Sequence, residues 1–101
     1  MNKSIYVRWK GVVNANSEVE IQGTSGEQNL LVFAQNASAS VSCAVSRLCT
    51  PSSQQPILTE SNITIGGTTG LRVVRKENSG NVFIINDTAN NRGVNVSCFR
   101  I

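Results

Sequence analysis

Three cysteines, six carboxylates and three lysines are the side chains here that could make or break bonds, and no histidine stands beside any of them. That absence removes the commonest metal ligand, the usual general base, and the Ser-His-Asp and Cys-His pairings together. Asp87 is the single aspartate. Of the carboxylates, Glu18 and Glu20 come nearest to a pair, about 7 Å apart on one strand face by strand rise. The sequence around them marks that face as solvated and not as a site for glycoside chemistry. Cys43, Cys49 and Cys98 offer too few soft ligands for a closed zinc site. Gly66-Gly67-Thr68-Thr69-Gly70 lacks the Gly-Lys-Ser/Thr ending of a phosphate cradle and reads as a turn. The expectation is a protein with no catalytic residues, no metal and no cofactor.

Two kinds of residue remain that could work by contact. Tyr6, Arg8 and Lys10 share one face of a strand, and Arg72 with Lys76 is expected to extend them into a basic patch, the pattern of an OB-type single-strand binder. The weight against that reading is a net charge of +3 spread over 101 residues, and only five aromatics, most of which a core should claim. Nucleic acid is therefore an unlikely partner on sequence grounds. The second kind is the run from Ala37 to Ser46, in which Ser or Ala fills every even position and small or apolar residues every odd one. It reads as a strand with its odd face in the core and a neutral serine ladder, with Ser38, Ser40 and Ser42, outside. Uncharged strand surfaces are poorly defended against pairing with a neighbour. Phe99 and Ile101 break the alternation of Val94, Val96 and Cys98, which predicts a bulge or an oligomer contact near the C-terminus.

An odd number of cysteines leaves one unpaired. In an oxidising compartment Cys43 with Cys49 is the expected bridge, because Thr50 and Pro51 should turn the chain back toward Cys43, and Cys98 then stays free. Five Asn-x-Ser/Thr sequons occur, at Asn2, Asn36, Asn62, Asn86 and Asn95. They are glycan acceptors only in a eukaryotic secreted protein.

The elements that must hold these residues repeat with period two. Charged residues are 15% of the chain, and twelve Asn, twelve Ser and seven Thr fill the deficit. Such residues suit turns and strand faces better than helix interiors. Strands are expected around residues 5–10, 19–21, 30–34, 37–46, 57–58, 63–65, 71–76, 81–86 and 94–101, those at 57–58 and 63–65 being short. The run 71–76 should pair with 81–86 across Glu77-Asn78-Ser79-Gly80. Thr50 to Pro56, with two prolines and no apolar residue, reads as a loop. No stretch is apolar enough to span a membrane, and the charges in residues 8 to 10 exclude a signal-peptide core, so an exported form is expected to have lost a leader before residue 1 or to use another route.

The whole reads as one all-β domain over residues 1–101, an antiparallel β-sandwich of jelly-roll or Ig-like topology or a small barrel, with about seven or eight short strands. The Ig signature itself is missing, since Trp9 precedes both Cys43 and Cys98. The functional expectation is a non-enzymatic structural or assembly module of a surface or virion, such as a phage decoration or tail component or a pilin-like or adhesin domain. It would be extracellular or on a virion surface and homo-oligomeric or part of a larger protein assembly. The alternatives are a carbohydrate- or protein-binding sandwich and an OB-type nucleic-acid binder.

Overall fold

The computed structural model describes residues 6–25, 30–38, 42–50, 53–76 and 79–100. Within them the chain forms nine strands and no helix: β1 (Tyr6–Val13), β2 (Ser17–Ile21), β3 (Leu30–Asn36), β4 (Ser42–Thr50), β5 (Ser53–Thr59), β6 (Thr64–Ile65), β7 (Leu71–Arg75), β8 (Val82–Asn86) and β9 (Arg92–Arg100). They make two layers, a five-stranded sheet in the order β1-β9-β3-β4-β5 and a four-stranded sheet in the order β2-β8-β7-β6. This is a two-sheet sandwich, and all its pairings are antiparallel save β6 with β7.

Alternation sets the layers. On β1, Val7, Trp9 and Val13 turn inward while Tyr6, Arg8, Lys10 and Val12 turn out. Gly11 leaves room for the indole, since a Cβ there would stand 3.0 Å from the Trp9 ring. Val32, Val94, Val96 and Cys98 from one sheet meet Ile21, Val73, Val82 and Ile84 from the other to form the core. The β7–β8 hairpin pairs as the sequence implies, Leu71 opposite Asn86 through Arg75 opposite Val82, and Gly80 at φ +76° closes it with its N–H on the Lys76 carbonyl.

Three expectations are corrected. Thr50 to Pro56 is not one loop: β5 begins at Ser53, and Pro56 sits at a register shift where Ile57 is the extra residue. A proline has no N–H for a ladder, so an edge strand with a bulge is where a sheet tolerates it. The faces of β4 are inverted, because Ser42, Ala44 and Ser46 are buried while Cys43 and Val45 face out. These small residues suit a strand against which β6 closes with Ile63 and Ile65 nearby in the core. Finally, β9 pairs with β1 and β3 without a break in register, so Phe99 marks no bulge and simply belongs to the outward face.

Abundant asparagine is largely a matter of loops. Asn86, fully buried, donates to the carbonyls of Val13, Asn14 and Asn90 and accepts from the N–H and hydroxyl of Thr88. Asn36 donates to the Asn62 carbonyl and accepts from the Ser38 N–H. Each ties a turn to a strand end, satisfying backbone groups that would otherwise be buried unpaired. Two of the sequons, at Asn36 and Asn86, are thereby closed to modification in the folded chain.

Candidate binding face

Register determines which outward side chains become neighbours. Across the outer surface of the five-stranded sheet, one row runs Tyr6, Phe99, Leu31, Arg47, Gln55 and the next Arg8, Ser97, Phe33, Val45, Leu58. A third runs Lys10, Asn95, Gln35, Cys43 and is closed by Glu60, whose carboxylate accepts the Cys43 N–H at 2.8 Å. Three of the five aromatics thus come together. Tyr6 and Phe99 lie 4.9 Å apart at 35°, and Phe33 meets Phe99 edge-on at 5.8 Å. Such ring pairs stabilise beyond the area they cover.

These rings are not hidden. Tyr6 is 55%, Phe33 43%, Phe99 37% and Leu58 48% exposed, so a contiguous apolar surface faces solvent on a sheet whose other side is the core. Single exposed hydrophobics need no explanation, whereas a contiguous patch marks an interaction surface. A groove of about 490 Å³ runs along it past Arg8, Phe33, Cys43, Val45 and Leu58. Asn95 donates to Gln35 Oε1 at 2.9 Å on its floor, and the Tyr6 hydroxyl lies 3.5 Å from Ser97 Oγ. Arg8, Lys10 and Arg47 supply positive charge without an ion pair among the described residues.

The opposite sheet shows what a closed surface looks like. Phe83 lies under the Lys76 ammonium, 4.3 Å from its ring centre, and Lys76 pairs with Glu18 at 2.6 Å. Asn81 donates to Glu20 at 2.9 Å, and Arg72 pairs with Asp87 at 2.5 Å. Arg72 and Lys76 therefore do not extend the patch of Tyr6, Arg8 and Lys10: they sit on the other layer, each already neutralised. The Glu18 and Glu20 carboxylates are likewise engaged in surface contacts. A second hollow, of about 260 Å³, opens at the end of the sandwich beside Asn62, Thr69, Thr88 and Arg92 and brings together no acid–base pair.

Of the expected interface residues, Phe99 lies in the exposed cluster, Ser38 is exposed but accepts the Gly93 N–H, and Ser42 is buried. Ser40 and Ile101 lie outside the described residues. The Cys43–Cys49 bridge does not fit the strand: six residues apart along β4, their Cα atoms are about 20 Å apart, roughly three times the span of a disulfide. Cys98 is a free, buried thiol, pushed up to about 12 by its burial against a weaker opposing pull from Arg75. Sequence reasoning missed Leu31, Phe33, Val45 and Leu58 as surface residues. The signal was Phe99, apolar on a parity that carried polar neighbours. Stacking and charge are what this face offers chemically. No family model, curated protein or solved structure matches this chain.

Proposed function

We propose that the chain is a non-enzymatic structural module of a larger assembly, docked through the outer face of its five-stranded sheet. The observation that carries this is the exposed cluster of Tyr6, Phe33 and Phe99 with Val45 and Leu58, on a face that no other described element covers. Burying it in an interface would remove a large apolar surface from water. Edge pairing is a poorer route, because β1 carries Arg8 and Lys10 and β5 carries Pro56 and a bulge. A surface or virion particle is the setting that the low charge and the Asn, Ser and Thr content favour.

Fractionation of the producing cells or particles tests this. The wild-type chain is expected in a high-mass particle or envelope fraction, and Phe33→Asp, shown by circular dichroism to be folded, in the low-mass soluble pool. Wild-type protein found wholly in the soluble pool would overturn the proposal. A glycan-binding sandwich is the second reading, favoured by the Asn95 and Gln35 amides beside exposed rings. A glycan array showing binding lost in Phe33→Ala would bring it forward.

A further inference from the structure

Resting on that docking face, and naming its occupant, we infer that the outer sheet surface binds a second copy of this chain, face to face, about a twofold axis running along β3. β3 is the middle strand of five, so such an axis keeps each cross-strand row on itself and exchanges its ends. β1 then lies over the β5 side of the other copy, and β9 over its β4.

The rows are complementary under that exchange. Lys10 at one end of its row meets Glu60 of the second copy at the other, and the symmetry makes the pair twice. Arg47 comes over the exposed Phe99 ring, a cation against an aromatic face. Arg8 faces Leu58, along which its aliphatic stem packs while the guanidinium reaches the rim. Phe33 meets its own copy on the axis, at the centre where binding energy concentrates. No cation faces a cation, because β5 has no charged residue and the outward residues of β9 opposite Arg47 are neutral. An axis across the strands would set Arg8 against Arg8, so charge selects the orientation. Aligned strands are also the ordinary way sheets pack face to face.

Area sets the strength. Five strands about 4.8 Å apart and three rows about 6.8 Å apart give a face of roughly 480 Å² per copy, or about 1,000 Å² in all. That is about the threshold a specific interface must clear and below the standard size, so the dimer is expected to be reversible. A single-stranded nucleic acid suits the face less well, because Phe33 and Phe99 meet edge to face and do not offer parallel platforms to successive bases.

Sedimentation equilibrium from about 5 µM to about 1 mM, at about 150 mM salt, reads the result. The mass is expected to rise from monomer to dimer. Lys10→Glu and Glu60→Lys should each weaken dimerisation about tenfold, and the two variants mixed, or combined in one chain, should recover it to within about threefold. Phe33→Asp should hold the chain monomeric. As Glu60 also caps the Cys43 N–H, the Lys10→Glu and Phe33→Asp variants carry the test should Glu60→Lys not fold. A monomeric wild type at all concentrations, or a Lys10→Glu chain that dimerises as well as wild type, overturns the inference. If the monomer still enters particles and Phe33→Asp does not, the face docks a different partner and only the second copy is lost. Sub-micromolar oligonucleotide binding abolished by Phe33→Asp would give the face to nucleic acid and overturn the inference as well.

Discussion

Cys98 shows how a residue without reactive partners still sets a physical property of the whole chain. Its thiol is 1% exposed among Val94, Val96 and Val32, and ionising it there would place a charge in the core, so its pKa rises from 9.0 to about 12. The folded pKa is the higher one, so the stability this group confers is whole below pH 9 and is lost as pH rises from 9 toward 12. The slope is at most about 1.4 kcal/mol per pH unit for one proton. Urea unfolding of the wild type and Cys98→Val across that window is the check: the wild type should lose more stability than the variant above pH 9. Parallel curves would mean that the thiol ionises equally easily in both states. Arg75 is buried as well, at 3% exposure, its guanidinium donating to the Gly80 carbonyl at 2.8 Å and tying the hairpin turn to the sandwich.

At the scale of strands, β5 is the element whose sequence looks least like a strand and whose oddities protect the molecule. It is an edge without a charge, and Pro56 with the extra residue Ile57 is what denies a neighbour a continuous ladder. Pro56→Thr is therefore expected to leave the melting midpoint within a few degrees while raising the rate of aggregation, followed by light scattering at matched concentration. An unchanged rate would place the protection elsewhere. β5 also shows why the sequence was only partly legible. Strands with β-branched alternation, such as Leu71–Arg75 and Val82–Asn86, declare themselves locally, because period two and a Gly-ended turn are enough. In β4 every residue from Ser42 to Ser46 is small or medium-sized, so burying either face differs little in local free energy, and the choice falls to the distant Ile63 and Ile65. The binding face was illegible for a related reason: residues 6, 33, 45, 58 and 99 become neighbours only once four strand registers are known. Tyr6, Arg8 and Lys10 were readable as a group because one strand carries all three, while Arg72 and Lys76 were misplaced because local pattern does not say which sheet a strand joins.

Taken as a whole molecule, the described chain is elongated, 43 × 24 × 23 Å. One of the two edge strands of the five-stranded sheet, β1, is attached to it along a single side, by pairing with β9 alone. The pairing is antiparallel and sets Tyr6 opposite Phe99, so the two described ends of the chain leave side by side at one corner. A pull applied through those ends would not load the β1–β9 hydrogen bonds together, as a sliding geometry does. It would open them one at a time from the Tyr6–Phe99 corner, like a zip fastener. In a force spectrometer with handles at the two ends, yield is expected at much lower force than with handles at residues 6 and 92, where the same bonds lie in shear. Equal forces would mean that β1 is anchored by more than its ladder. A ladder arranged this way resists sliding of β1 along β9 far better than peeling from the Tyr6–Phe99 corner, because sliding loads its hydrogen bonds together and peeling loads them in turn.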